Sequence, residues 1–139
     1  MPNSDYKQVL KSFKRKMEVR SLAVVKDIAT ETSTKVIIRT PEDTSRCRAN
    51  WNPGINTIVQ EFDESRRAPG GRESIERAKA IIKLLQLGNV YSISNSTPYV
   101  FELEMGSSQK APFGFVGITR AEFPSIFERA VLQQAKGRA

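Results

Sequence analysis

The segment Asn89–Phe115 reads NVYSISNSTPYVFELEMGSSQKAPFGF, and the rest of the chain is predicted to pack around it. Apolar and polar residues alternate in two parts of this segment, as they do in half-buried β-strands. Tyr91 and Ile93 share one face of the first part. The second part places four apolar side chains on one face: Tyr99, Phe101, Leu103 and Met105. A short turn that ends in Pro98 joins the two parts, so the sequence predicts a β-hairpin.

A polar loop rich in Gly and Pro follows the predicted hairpin. It is too long for a tight turn, and Phe113 and Phe115 make it too apolar for a simple linker. Aromatic side chains on such a loop are candidates for anchoring one subunit on another. The alternative is that both side chains fold back onto the core of their own chain.

The N-terminal part, from Asp5 to about Thr40, is predicted to form one long helix because neither Gly nor Pro interrupts it. Its apolar residues recur at spacings of three, four and seven: Tyr6, Val9, Leu10, Phe13, Met17, Val24 and Ile28. A helix of about 35 residues is about 50 Å long at 1.5 Å per residue, so we expect part of it to project from a domain of this size. A break near Thr30–Thr34 is the alternative, since β-branched and small polar residues weaken helix propensity.

The polar face of this helix is strongly basic. Four of its basic residues lie near the N-terminus: Lys7, Lys11, Lys14 and Arg15. A solvated helix face often carries this much charge, but the same face would also suit DNA or an acidic partner subunit.

The middle of the chain is predicted to contain turns, a strand and a loop. A turn anchored by Trp51 leads through a second turn at 52–54 into a strand at Ile55–Phe62, because that run has strand composition. The charged loop Asp63–Gly71 is expected to be a mobile surface loop. Its Gly-Gly pair lacks the lysine and hydroxyl that a phosphate-binding loop needs, so we do not predict a phosphate site there.

Two more helices are predicted. One covers Ser74–Leu87 and ends at Gly88, a residue typical of helix C-termini. The last helix begins either with a capping box at Thr119–Glu122 or, because Pro124 would interrupt that helix, at Phe123 or Pro124 after a separate turn.

The composition is that of one domain, residues 1–139, of the α+β class: a small, mainly antiparallel sheet with a β-hairpin, covered by helices, with a long N-terminal helix. The chain has no His and a single Cys, Cys47, so the commonest general base is missing and no intramolecular disulfide can form. The net charge of +7 permits a polyanionic partner without requiring one. No run approaches the roughly 20 apolar residues of a membrane helix, so we predict no membrane association and a cytosolic origin.

The sequence offers weak candidates for catalysis. Glu102 and Glu104 lie two residues apart on one face of the predicted strand, as paired catalytic carboxylates can, but no third group stands near them. Cys47 lies between Arg46 and Arg48, which would lower its pKa, but the chain has no His to act as its base. We therefore predict that the protein is not an enzyme and has no catalytic, metal-binding or cofactor-binding residues.

Two stretches of the chain carry motifs. The first runs from Asn95 through Pro98-Tyr99 and Glu104 to Gly106-x-Ser-Gln, Ala-Pro and Gly114. The second is Thr40-Pro-x-Asp-Thr-Ser-Arg46. Together they resemble signatures of a known family, the tail-completion (neck, or head–tail joining) proteins of long-tailed bacteriophages. Relative to those signatures, Lys110 is an extra residue and Ser45 stands where a glycine is usual. The likeness covers about 13–131, nearly the whole chain.

The resemblance implies a structural virion protein of the phage neck, made in the host cytoplasm, with no known catalysis and no cofactor. It implies a homo-oligomeric ring, a hexamer or a dodecamer, around the DNA path. The ring would lie between a head connector or head-closure protein and a tail terminator or tail tube protein.

On this basis we expect two loops, 63–71 and 107–115, to meet neighbouring subunits or rings. The residues predicted to make these contacts are Arg66, Arg67, Ser108, Gln109, Pro112, Phe113 and Phe115. The basic helix face would meet DNA in the lumen or an acidic neighbour through Lys7, Lys11, Lys14 and Arg15. One alternative function is a free nucleic-acid-binding protein, which would show a steep salt dependence. A small hydrolase is a third hypothesis, disfavoured by the missing His.

Overall fold

The computed structural model describes residues 2–42 and 45–137, with side chains from residue 5 onward. Its helices are α1 (Pro2–Arg39), α2 (Arg46–Ala49), α3 (Arg72–Ile82), α4 (Val100–Glu104), α5 (Val116–Ala121) and α6 (Phe123–Lys136). A 3-10 turn at Pro69–Gly71 precedes α3, and the strands are β1 (Trp51–Ile55) and β2 (Tyr91–Asn95). The predicted α+β class, with a small antiparallel sheet and a long N-terminal helix, is confirmed.

Helix α1 is continuous, and the break considered near Thr30–Thr34 is absent. Its C-terminal half packs against the rest of the domain, where Ala29, Val36 and Ile37 are buried. Every residue from 5 to 21 is exposed. We call this segment the arm; at 1.5 Å per residue it projects about 25 Å, as the length of the predicted helix required.

The two strands form an antiparallel pair in which Trp51 lies opposite Asn95 and Ile55 opposite Tyr91. One face of the sheet meets α1. There the Trp51 indole N–H donates to the Thr40 hydroxyl at 2.8 Å, and the hydroxyls of Tyr91 and Ser33 share a hydrogen bond of 2.8 Å. These bonds satisfy polar groups that burial would otherwise leave without partners.

The other face of the sheet is covered by an extended segment, 57–61. The Ser92 and Ser94 hydroxyls donate to the carbonyls of Thr57 (2.8 Å) and Val59 (2.7 Å). The Asn52 amide donates to the Glu61 carbonyl at 2.7 Å. The donors are side chains of the sheet and not backbone N–H groups. The segment therefore lies over the face of the sheet and does not pair with it as a strand.

The predicted hairpin is wrong. The part from Tyr99 to Met105, predicted as its second strand, contains α4, and β2 pairs with β1 instead. Val100 and Leu103, three residues apart, pack against the core, whereas Phe101 and Met105, four apart, are exposed. Side chains three or four residues apart share a face of a helix, so the period-two pattern did not determine the structure here.

The prediction of a strand at Ile55–Phe62 is also wrong in its position. The strand is Trp51–Ile55, and it contains Pro53 and Gly54, which were predicted to form a turn. Proline is tolerated in a strand where its missing N–H would point away from the neighbouring strand.

Helix α6 packs antiparallel to the C-terminal half of α1, and charged side chains mark the contact. Glu122 receives hydrogen bonds from Lys35 (2.9 Å) and Arg39 (2.8 Å), near the C-terminal end of α1. Farther back along α1, the Gln134 amide donates to Asp27. The helix begins at Phe123 after a separate turn, so the second of the two predicted starts is confirmed.

Candidate functional site

The arm carries an apolar stripe that contacts no other part of the described chain. Its members are all exposed: Tyr6, Val9, Leu10, Phe13 and Met17. The Phe13 side chain is 62% exposed, which is high for an aromatic residue in a folded domain. An exposed apolar stripe of this kind is a candidate interaction surface.

The stripe continues the face of α1 that α6 covers. Phe13 and Met17 each lie 18 positions, or about five helical turns, before Glu31 and Lys35. Glu31 and Lys35 bind α6 through Arg129 and Glu122. Along one face of α1, therefore, the body is covered by a helix of the same chain and the arm is not.

The arm is also strongly basic. It contains six Lys or Arg and two Asp or Glu, a net charge of +4 within a chain of net charge +7. The predicted DNA or partner contacts Lys7, Lys11, Lys14 and Arg15 all lie on it and are exposed. Lys14 approaches Glu18 at 3.9 Å, an exposed pair of little energetic weight.

Glu104 holds the loop between α4 and α5. Its carboxylate accepts hydrogen bonds from the backbone N–H groups of Phe115 (2.8 Å), Val116 (2.8 Å) and Gly117 (2.9 Å). Burial alone would raise the pKa of this carboxyl, but the three N–H groups lower it below its usual value. The sequence singled out Glu104 as a paired carboxylate and as a residue of the first motif. Its contact with backbone eleven to thirteen residues away was not predicted, because sequence spacing does not reveal it.

Two glycines of this loop adopt conformations that suit glycine. Gly106 has φ 95° and Gly114 has φ 82°. A Cβ on Gly106 would lie 2.3 Å from the Pro112 carbonyl oxygen, and one on Gly114 would lie 2.5 Å from the Glu104 carbonyl oxygen. Positive φ and close backbone approach together explain glycine at both positions.

The structure separates the residues of this loop that were predicted to make intersubunit contacts. Phe115 is fully buried and its ring lies edge-on to Trp51, with centroids 6.2 Å apart. The assignment of Phe115 to an interface is therefore wrong, and the alternative that it folds onto its own core is confirmed. Ser108 is also buried, and its hydroxyl accepts a hydrogen bond from the Lys110 N–H, so its assignment to an exposed contact is wrong as well.

The remaining residues of that prediction lie on the surface. Gln109 and Pro112 are exposed, and the Phe113 side chain is 84% exposed. Arg67 is exposed and donates to the carbonyls of Glu64 and Arg66, while Arg66 pairs with Asp63 at 3.8 Å. Their roles in assembly stay predictions.

The second motif follows α1, and Arg48, two residues beyond the motif, binds the end of that helix. Arg48 donates to the carbonyls of Ile38 (2.7 Å) and Thr40 (3.0 Å), two of the acceptors that a helix C-terminus leaves unpaired. Ser45, where a glycine is usual in the resembling family, has φ 55°. Asp43 and Thr44 of this motif lie outside the described residues.

The chemistry of Cys47 is opposite to what its neighbours in sequence suggested. Burial raises the pKa of this thiol to about 11, despite hydrogen bonds from Thr97 and Asn95 that act to lower it. The thiolate needed for nucleophilic attack is therefore scarce near neutral pH. Within 2–42 and 45–137, no group of three His, Cys, Asp or Glu is placed to bind a metal ion.

An apolar cleft of about 280 Å³ lies between α1, β2 and the α5–α6 corner. Val36, Ile93, Val116 and Phe123 supply apolar walls, and Arg120 lies among the polar lining residues. The Thr32 hydroxyl, which also lines it, is buried without a hydrogen-bond partner among the described residues. Sequence reasoning missed this cleft because its walls come from distant parts of the chain.

Comparison with models of known families, with curated proteins and with solved structures gives no match for this chain. None of the helices in the described part has both the length and the apolar character that crossing a bilayer requires.

Proposed function

We propose that this chain is a structural subunit of the neck of a long-tailed bacteriophage. Copies of it form a ring that joins the head connector to the tail and surrounds the DNA path. The proposal rests first on the motif resemblance, in which both signatures fall in one chain in the expected order.

The observation that carries the proposal is the arm. A helical segment of about 25 Å whose stripe exposes five apolar side chains is costly in water unless another surface covers it. The exposed Phe113 gives a second apolar contact point on a different part of the surface. Apolar surfaces on different sides of one subunit suit head-to-tail contacts, which form a ring when the rotation between successive copies closes.

The geometry of the motif residues fits a structural role. Glu104 and Gly106, both in the first motif, fix the loop that presents Phe113. Arg48, two residues beyond the second motif, binds the end of the helix that carries the arm. The neighbours expected above and below the ring are a head-closure protein and a tail terminator or tail tube protein.

The test is to remove the chain from the phage that encodes it and to examine the particles. We expect DNA-filled heads and complete tails that do not join, with joining restored when the chain is supplied in trans. A map of intact virions should contain the chain at the junction of head and tail. Normal joining without the chain, or its absence from that junction, would exclude the proposal.

A second candidate function is free nucleic-acid binding, favoured by the arm's net charge of +4. This function would require DNA affinity of the isolated subunit that falls steeply with salt. The apolar stripe is unexplained by it, because phosphate contacts need no such surface.

A further inference from the structure

The sheet has one covered edge and one open edge. The Asn56 N–H donates to the Val90 carbonyl at 2.7 Å, which fixes the alternation of hydrogen bonds along the pair. The bonded pairs are Asn52–Ser94 and Gly54–Ser92, so the N–H and C=O groups of Tyr91 and Ile93 point away from β1.

The outer edge of β1 is covered. The Arg77 guanidinium of α3 donates to the carbonyls of Ala49 (2.6 Å) and Trp51 (3.2 Å), which occupies acceptors on that side. No strand of the described chain lies on the outer side of β2, since the sheet has the order β1–β2. Open strand edges of this kind accept an additional strand.

The apolar cleft lies beside this open edge. Ile93 belongs to both, and the unpartnered Thr32 hydroxyl lies in the lining of the cleft. A strand added to β2 would therefore gain backbone hydrogen bonds and a place for an apolar side chain, the two parts of recognition by strand addition.

The same chain contains a segment with matching properties. Residues 57–62 read TIVQEF, have strand composition and lie in no strand. The carbonyls of Thr57, Val59 and Glu61 accept bonds from the sheet beneath. In an extended chain, alternate residues point to opposite sides, so the N–H and C=O groups of Ile58 and Gln60 face away from the sheet.

Ile58, 63% exposed, offers the apolar side chain that the cleft lacks. The segment already lies over its own sheet, so it cannot also reach the outer edge of its own β2.

We propose that segment 57–62 of one copy adds as a third strand to the open edge of β2 in a second copy, with Ile58 directed to the apolar cleft. Because the two surfaces differ, the contact is head-to-tail and repeats from copy to copy. This inference rests on the proposed function and names one further contact between copies in its ring, in addition to those of the arm.

The test uses the purified full chain at concentrations up to about 1 mM, the range in which weak association is measurable. Sedimentation gives the association constant. Gln60→Pro removes an outward N–H and should weaken association at least about tenfold. Gln60→Ala truncates the same exposed side chain, keeps the N–H and should associate as the natural chain does.

A substitution at the apolar contact adds a second readout. Ile58→Lys should weaken association, because a charged side chain would replace the apolar one in the cleft, while Ile58 is exposed in the free subunit. Hydrogen exchange should show the amides of Ile93 and Gln60 protected in the oligomer and open in dilute monomer. A chain that stays monomeric, oligomers with these amides open, or equal association of Gln60→Pro and Gln60→Ala would each overturn the inference.

The outcome is separable from that of the proposed function. Virions in which the chain occupies the neck and Gln60→Pro still joins heads to tails would overturn the strand addition alone. A chain that associates through this edge but is absent from the neck would overturn the neck function and leave the strand addition standing.

Discussion

Glu104 illustrates how one carboxylate fixes a loop that no regular element supports. It is the shared acceptor for three backbone N–H groups at the start of α5. Such bonds resemble those of a helix N-cap, whose removal costs about 0.5–2 kcal/mol.

We expect Glu104→Ala to lower the free energy of unfolding by about 1–2 kcal/mol, because three N–H groups lose their acceptor. Denaturant unfolding followed by circular dichroism measures the loss. Glu102→Ala is the control, since Glu102 is exposed on the same helix and makes no side-chain hydrogen bond among the described residues; it should change stability by less than about 0.5 kcal/mol. Equal effects of the two substitutions would contradict the assigned role.

The glycine positions allow a test of positive φ separately from steric contact. Gly88 has φ 90° with no atom within 4 Å of an added Cβ, whereas Gly106 has φ 95° with the Pro112 carbonyl oxygen at 2.3 Å. Gly88→Ala should therefore cost only the left-handed conformation, about 1–2 kcal/mol. Gly106→Ala should cost more, because the loop backbone must also move. Thermal unfolding of both variants would reveal the difference, and a Gly106→Ala protein as stable as Gly88→Ala would be inconsistent with the contact.

Glu122 should give the protein a pH-dependent contribution to stability. Hydrogen bonds from Arg39 and then Lys35 lower its pKa from 4.5 to about 2. A carboxyl with a lowered folded-state pKa stabilises the fold above its unfolded-state pKa, and this contribution is lost as the pH falls from about 4.5 to about 2.

We expect Glu122→Gln to be less stable than the natural chain at pH 7 and equally stable near pH 2. Unfolding free energies measured across this range test the expectation. Glu128→Gln, which removes an exposed carboxylate of α6 without an ion pair in the described chain, is the control and should leave the pH profile unchanged. If Glu122→Gln lowers the free energy of unfolding as much at pH 2 as at pH 7, the ion pairs of Glu122 are not the cause of the lower stability.

At the scale of elements, the long helix could be predicted from sequence and the hairpin could not. After Pro2, helix α1 contains neither Gly nor Pro, and a prediction that rests on so long a run does not depend on any single residue. Helix α4 has only five residues, and over so short a run the spacing of Phe101 and Met105 fits either a strand or a helix. Packing of Val100 and Leu103 on a core built from distant residues decides between them.

The arm is the element on which assembly should depend most. Phe13→Lys should abolish the apolar contact of the stripe and weaken assembly at least about tenfold, as loss of an aromatic anchor does. Folding should be unaffected to within about 0.5 kcal/mol, because the side chain is exposed in the isolated subunit.

Sedimentation of the purified chain and counts of joined particles would measure assembly, and thermal unfolding would measure folding. Val19→Lys is the matched control, since Val19 is an exposed apolar arm residue that lies off the stripe. Loss of assembly by Val19→Lys as severe as that of Phe13→Lys would show that the stripe has no special role. A destabilised Phe13→Lys monomer would show that the arm packs on its own domain.

At the scale of the whole molecule, the sequence did not predict which apolar side chains are buried and which are exposed. Phe113 and Phe115 are two residues apart in one loop, yet one is almost fully exposed and the other fully buried. The direction of each is set by Gly114, which has φ 82° between them, and by Glu104, which binds the Phe115 N–H. No local pattern contains this information, because Glu104 lies a loop away. The apolar cleft was unpredictable for the same reason.

Net charge is a property of the whole molecule, and it separates the two candidate functions. Replacing Lys7, Lys11, Lys14 and Arg15 by Gln removes four positive charges from the arm and leaves its apolar stripe intact. If the chain acts through assembly, this variant should still join heads to tails, because the stripe provides the contact. If it acts as a free DNA-binding protein, the four substitutions should greatly lower the DNA affinity of the isolated subunit. Each lost phosphate contact should also reduce the slope of log affinity against log salt by roughly 0.9 for duplex DNA.

We expect the natural subunit to bind DNA no more tightly than about 10⁻⁶ M at physiological salt, as non-specific binders do, and we expect the variant with four substitutions still to join heads to tails. Nanomolar DNA affinity of the natural chain, together with loss of joining in the variant, would reverse the order of the two candidates.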